Sequence, residues 1–427
     1  MASTYLSRTP SSSSNRRTWT WSAWVKRSNL STGNQVLFQA LDGSFPEKIQ
    51  FTSSDRIEYD HDIAGTDYTI YSDFRCRDTN GWYHIVVAKD TTQATETDRI
   101  KVYVNGEQIS MTEEALGYPG QNYEGAINKN VIHNIGANNG GSSEVFSGCM
   151  SHVHFVDGTA LAPTVFGSTD STTGEWKINT SPSYTVGTNG FFILKDGNSL
   201  TDQSANSNNF SLSNGTLTKT EDNPSNIFCT MNPLHTPKPG QIAMSSGNTD
   251  VYGNDSVWQR SYGALGAKSV GKWYYEYKCT AINNYNNRLG WDSIDLINEG
   301  DDNYYSGLTL DGNGELRGGV RGYNNYDPNS VQMTQAYSGG NFSYGVNDYL
   351  GMAIDLDNQT ISVYKNGNLE INAYSYSGAS NCSILKSRGH FIAPSVNFHS
   401  TSGNANTSSF NFGNGWYLNT PWLLLSV

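Results

Sequence analysis

The chain has 427 residues, roughly two to four domains at ordinary domain size, with 36% hydrophobic and only 15% charged residues. Its polarity comes from uncharged side chains (46 Asn, 43 Gly and 26 Tyr), which excludes coiled coils and helical bundles, and 12% aromatic residues argue against a disordered chain. The net charge of −12 is the wrong sign for gripping phosphates, so no nucleic-acid partner is expected.

No apolar run reaches the roughly 18 residues of a membrane helix, so no membrane insertion is expected. The opening MASTYLSRTPSSSSNRR lacks an apolar stretch, so no signal peptide is expected. Cys76, Cys149, Cys229, Cys279 and Cys382 form no CxxC pair and are odd in number. They read as incidental thiols of a chain made in a reducing cytoplasm, not as a zinc ribbon or disulfide framework.

In chain order, strand signals begin at Trp19–Val25 and continue at Val36–Phe38 and Lys48–Phe51. Gly81–Ala88 is a strong strand. Ile100–Val104 alternates and runs into Asn105-Gly106, the best short-range hairpin signal there is. Gly148–Val156 follows. Residues 157–188 are turn-rich and polar, and 190–240 hold short strand candidates ending in Pro233, Pro237 and Pro239. A second strand-rich region contains Gly271–Tyr277, Tyr349–Asp355 and Thr360–Tyr364, the last leading into Lys365-Asn366-Gly367. Almost nothing shows a 3.6-residue period. The expectation is an all-β protein of two β-sandwich (jelly-roll) domains joined by an irregular connector: 1–165, a connector at 166–240 packed on the first domain, and 241–427. Trp24, Trp82 and Trp273 are expected in the cores.

Three pieces of the first region resemble the laminin-G-like, concanavalin A-like jelly-roll family. They are Trp21–Lys26, the hairpin formed by Gly81–Val87 with Lys101–Gly106, and Gly148–Phe155. The second region resembles the SPRY domain through Gly271–Glu276, Asn347–Asp355, Ile361–Gly367, Pro394–Val396 and Ser409–Gly413. Between them lie a TDxxTGxW loop (Thr169–Trp176), a DxSxNxNNF segment (Asp202–Phe210) and an Asn223–Pro233 connector. Together these resemble structural proteins of tailed, especially marine, bacteriophages. That resemblance implies a virion protein made in the host cytoplasm, partnered by other virion proteins and copies of itself, with host cell-surface glycan as a further partner.

Catalysis has no positive signal, and the chain is expected not to be an enzyme. Concanavalin-like hydrolases place paired carboxylates on one strand face. The nearest match, Glu96–Lys101, lacks the final Glu and sits at a turn. His152 and His154 share one strand face without a third zinc ligand nearby. The resemblance to laminin-G-like domains implies Ca²⁺ as a candidate ion, and Asp55, Asp60, Asp62 and Asp67 cluster in one segment. Candidate ligand-binding residues come from loops that pair Tyr with Asn, as sugar sites do: Asn284, Tyr285, Asn287, Tyr304, Tyr305, Tyr323, Asn325 and Tyr326. The function expected is surface recognition or adhesion on the virion, with architectural decoration and polysaccharide cleavage as alternatives.

Overall fold

The computed structural model describes residues 4–412, apart from 31–32, 64–65, 139–140, 142, 196–198, 221, 235–241, 254–258, 269, 283–286, 295–305, 313, 321–330, 338–341, 378–390 and 400–405. It divides into two compact units, residues 1–227 and 228–427. The division falls ahead of the proline cluster, because the chain from Phe228 already serves the second unit: Met231 is wholly buried in that unit's core and bridges Gly263.

The first unit contains, in order, β1 (Tyr5–Arg8), β2 (Thr18–Arg27), β3 (Gln35–Asp42), β4 (Phe45–Phe51), β5 (Arg56–Ile63), β6 (Thr66–Arg75), β7 (Tyr83–Asp90), β8 (Ile100–Val104), β9 (Glu107–Gln108), β10 (Met111–Ala115), β11 (Ile132–Ile135), β12 (Gly148–Asp157), β13 (Gly167–Thr169), β14 (Trp176–Ile178), β15 (Phe191–Ile193) and β16 (Ser211–Asn214). An eight-stranded sheet runs β10-β6-β5-β4-β3-β11-β1-β16 and faces a six-stranded sheet, β15-β12-β2-β7-β8-β9. Trp19, Trp21, Ala23 and Val25 of β2 meet Phe38, Ile49, Phe51, Ile57 and Ile70 in the core between them. At one end a buried ion pair crosses this core, Lys89 Nζ to Glu47 Oε1 at 2.6 Å. Tyr59 donates to the same oxygen, and the Ile127 amide to Oε2, each at 2.6 Å. Gly125 admits this approach, since a Cβ there would fall 2.0 Å from Glu47 Oε2.

Nearly every residue of β2 is buried, because the connector covers the other side of the six-stranded sheet. Trp24 stacks on His84 at 4.8 Å, and His84 on Trp176 at 5.9 Å. The Trp176 indole donates to His84 Nδ1, so Nε2 carries the proton toward Ser22 Oγ at 2.9 Å. The TDxxTGxW loop is the β13–β14 hairpin: Asp170 Oδ1 accepts the Thr172 and Thr173 amides and Oδ2 accepts Lys177 Nζ. The DxSxNxNNF segment is a polar clasp. Asp202 takes the amides of Phe192, Ser204 and Asn208 and the Ser204 hydroxyl, all at 2.7–2.9 Å. Asn206 and Asn208 donate to carbonyls of residues 187–190.

The second unit contains β17 (Ile242–Ser245), β18 (Asp250–Gly253), β19 (Gln259–Tyr262), β20 (Ala267–Lys268), β21 (Lys272–Ala281), β22 (Asn287–Ser293), β23 (Ser306–Leu310), β24 (Leu316–Val320), β25 (Val331–Tyr337), β26 (Tyr349–Asp355), β27 (Thr360–Lys365), β28 (Asn368–Ser375), β29 (Phe391–Phe398) and β30 (Asn406–Asn411). One sheet runs β17-β18-β30-β21-β26-β27-β28, and the other β19-β29-β22-β23-β24-β25 with β20 beside β29. Both units use the same Asn-Gly device. Asn105 Oδ1 accepts the His84 amide and Asn366 Oδ1 the Tyr349 amide, closing the turn onto the preceding strand. Gly106, at φ +86°, also admits the Trp176 ring, which a Cβ would meet at 2.4 Å. Trp24 and Trp82 are buried as expected, but Trp273 is 42% exposed. It shares the inward parity of Tyr275 and Tyr277, yet sits at the start of β21, where the packed core has ended.

Two outcomes are expected from this packing. Replacing Asp202 by Ala strands three backbone amides and should lower stability by about 2–4 kcal/mol in urea unfolding; a change within error would mean that the clasp does not hold the connector. His61 and His133 are held by burial at about 4, His84 at about 3, and His154 well below the ordinary 6.5. The unfolded chain then takes up protons near pH 6.5 that the folded chain refuses until about pH 4. Stability should fall as pH drops through that window, by up to about 1.4 kcal/mol per pH unit for each histidine. The calorimetric midpoint between pH 7 and 4 tests this, and a flat profile contradicts it.

Candidate functional site

With the core on one side of the six-stranded sheet and the connector on the other, the remaining polar face among the described residues of the first unit is the outer side of its eight-stranded sheet, buried at its centre and exposed toward its edges. Alternation builds it. On β5, Ile57, Tyr59 and His61 are buried inward, while Glu58, Asp60 and Asp62 point out and are partly exposed. Cross-strand partners share a face. The register Ser211–Ser7–Asn134–Gln39–Lys48–Asp60–Thr69–Glu114 therefore places one polar side chain from each of the eight strands in a single row. At ordinary strand spacing the row is about 33 Å long.

Polar contacts stitch the row. Lys48 Nζ lies 3.2 Å from Asp60 Oδ2 and 3.5 Å from Glu144 Oε2, and Asn138 donates to the same Glu144 oxygen at 2.9 Å. Thr69 Oγ1 donates to Asp60 Oδ1 at 3.3 Å. In the next row Gln50 Nε2 donates to Glu58 Oε1 at 2.5 Å, and Arg56 lies 4.7 Å over the partly exposed Tyr71 ring. Burial raises Glu58 and Asp60 above the usual carboxylate values, with Gln50 and Lys48 respectively opposing the rise. Gln39 and Asn134, side by side in the row, are 0% and 1% exposed, and among the described residues none of their four amide nitrogen and oxygen atoms has a partner. Amides supply donors and acceptors, and partly exposed Tyr71 supplies a ring face. The surface can therefore hold a polyhydroxylated ligand by hydrogen bonds and stacking.

Asn284, Tyr285, Tyr304, Tyr305, Tyr323, Asn325 and Tyr326 fall outside the described residues. Asn287 is fully buried at the start of β22. It donates to the Tyr277 hydroxyl, and its carbonyl accepts from Tyr344 at 2.5 Å, so it is a core residue and not a loop contact. The four aspartates considered for calcium do not converge. Asp55 is buried between Arg27 and Arg77, Asp60 pairs with Lys48, and Asp62 faces Asp67 across the β5–β6 pair. Among the described residues no three His, Cys, Asp or Glu side chains are grouped for a metal ion. His154 stacks on Phe192 at 3.8 Å and His152 lies tilted against the same ring at 5.7 Å, and His154 Nδ1 meets the Tyr184 hydroxyl at 2.6 Å. Glu96 and Asp98 form a short turn ahead of β8, where Asp98 pairs with Lys101.

The row escaped sequence reasoning because β5 reads as an acidic loop. Its signal was the strict alternation Arg56-Ile57-Glu58-Tyr59-Asp60-His61-Asp62.

No curated protein matches the chain. Among solved structures it is similar to the SPRY domain of human HERC1 (TM-score 0.30, 13% identity, covering 43% of this chain and 98% of that one). It is also similar to the heptameric SAP-like pentraxin of Limulus polyphemus (0.27, 18%, 37% and 71%). A third is domain 4 of AbnA, a GH43 extracellular arabinanase of Geobacillus stearothermophilus, in complex with arabinotriose (0.27, 18%, 35% and 65%). Residues 2–166, which carry the polar row from β1 to β11, match the family model of the concanavalin A-like lectin/glucanases superfamily.

Proposed function

We propose that the chain is a non-enzymatic recognition protein that binds carbohydrate along the outer face of the eight-stranded sheet, as part of a virus particle. One observation carries the reading: a polar row crosses all eight strands on the outer face, exposed at its ends Ser211 and Glu114 and partly exposed at Ser7 and Asp60. The superfamily matched by residues 2–166 includes lectins by its own description, which supports the ligand class. The bacteriophage resemblance of the connector motifs supports the setting. Virion proteins act as symmetric multimers, and many copies of a weak site give avid attachment.

Cleavage is the second reading. Glu58, Asp60 and Asp62 place three carboxylates on one strand face, and burial raises the first two. Their engagement by Gln50, Lys48 and Thr69 favours holding a sugar over attacking one.

Purified chain titrated against an oligosaccharide panel should bind some members, with Tyr71→Ala weakening binding by about tenfold. Absence of binding across the panel rejects the reading. New reducing ends in the mixture, lost on Glu58→Gln, would transfer it to cleavage. Immunogold labelling of purified particles should place the chain on the virion surface; its presence only in infected-cell lysate would reject that setting.

A further inference from the structure

Two histidines of the six-stranded sheet, His84 on β7 and His154 on β12, lie under the connector. Both ring nitrogens of His84 are engaged. Nε2 meets Ser22 Oγ at 2.9 Å, and Nδ1 accepts the Trp176 indole N–H at 3.0 Å. An indole N–H only donates, so the lone pair of Nδ1 is what holds it. A proton taken up by His84 must occupy that same lone pair. Proton and indole therefore compete for one atom, and a charged His84 would turn an N–H toward an N–H. His154 differs. Its Nδ1 meets the Tyr184 hydroxyl at 2.6 Å, and a hydroxyl can turn from donor to acceptor.

Nothing around His84 would hold a charge while the connector is docked. The ring is wholly buried, and burial alone lowers it to about 3. Ser22 and Trp24 face it from β2, and Phe166 and Trp176 from the connector. The ionisable groups farther along this face are His152, His154 and Lys195, which are cationic when charged, and Lys26, which is paired with Asp222. Among the described residues no carboxylate acts on His84. The face of Trp24 attracts a cation, but Trp24 belongs to the sheet and does so with the connector docked or not. The covering piece is also separable. Phe166 packs with Val86 and Val156, and Tyr184 against them, in a small cluster apart from the core that Phe191 and Phe210 join. A segment with few buried apolar contacts can open locally.

We propose that His84 and Trp176 form an acid-operated latch: when Nδ1 of His84 takes a proton, connector residues 163–184 lift from the six-stranded sheet and uncover Trp24, Val86 and Val156, while the core stays folded. The closed form refuses the proton and the open form takes it near the ordinary histidine value. Each pH unit below about 6.5 therefore raises the ratio of open to closed by up to about tenfold. The β13–β14 hairpin moves as a piece, because Asp170 closes its turn through the Thr172 and Thr173 amides and Lys177, which hold its carboxyl well below the usual range.

The test is nuclear magnetic resonance of the full chain with isotope-labelled tryptophan, followed from pH 7 to pH 3. Each indole N–H is assigned by the signal lost on Trp→Phe substitution. The Trp176 signal should leave its folded position in one step within this range, ahead of Trp19 and Trp21, which lie in the core. In His84→Asn the side-chain oxygen can stand in for Nδ1 and cannot be protonated there. Trp176 should then stay in its folded position until Trp19 and Trp21 move. Movement of all three together in the native chain overturns the proposal, because the whole unit would then be unfolding. A Trp176 signal unchanged at pH 3 overturns it, and so does a step that His84→Asn leaves in place. Should His84→Asn fail to fold, the imidazole nitrogen spectrum of the native chain decides. Nδ1 of His84 must gain its proton in the same step, and a step in which it stays bare overturns the latch.

Discussion

The first unit is organised by the burial of the six-stranded sheet on both faces. A sheet in a two-layer sandwich alternates core and solvent residues. Here β2 instead carries Trp19, Trp21, Ala23 and Val25 toward one apolar layer, and Thr20, Ser22 and Trp24 toward another. The second layer is the connector, which brings Phe166, Trp176 and Tyr184 over His84, Val86, His154 and Val156. Polar groups on that face are matched one to one. His84 is held neutral between the Trp176 indole and Ser22, and His154 faces Tyr184. With this sheet enclosed, the recognition proposed for the first unit falls to the outer side of its partner sheet.

The connector can serve as a layer with little regular structure because its own side chains replace sheet hydrogen bonds. Asp202 satisfies three amides, and Asn206 and Asn208 satisfy the carbonyls opposite. Asp222 does the same work at another point, accepting from Lys26 and from the Trp82 indole. Buried polar backbone must find partners, and short Asn, Asp and Ser side chains reach their own loops at small entropic cost. The abundance of Asn in this chain is thus accounted for in part by structure. It is a weaker guide to sugar binding than a Tyr-Asn pairing in sequence suggests.

Charge inside the fold follows the same rule. Glu47 and Lys89 lie wholly out of water, with Tyr59 and the Ile127 amide completing the carboxylate, and Glu47 is held down at about 2. Such a pair adds little net stability against an apolar alternative but is costly to break. Its use here is positional: it joins β4 to β7 and so sets where β4 and β5 lie, and with them the polar row. Asp55 plays a similar part between Arg27 and Arg77. It was in sequence a candidate calcium ligand, and only its burial shows it to be committed elsewhere.

By itself the sequence determined the all-β class, the central strands, the Asn-Gly turns and the connector motifs, because alternation, aromatic content and turn chemistry are local properties. Residues 18–27, 83–90, 100–104, 272–281, 349–355 and 360–365 are strands where local pattern placed them. The tertiary structure alone decided which face of each strand is buried and which side chains meet. Trp273 has core parity and lies outside the core, Asn287 has loop composition and lies inside it, and Asp60 and Asp62, members of an acidic cluster in sequence, lie on a strand. The polar row draws its members from positions 7 to 211, and no local pattern links them. Sheet register brings them together, and register is set by the packing of the opposite, apolar face.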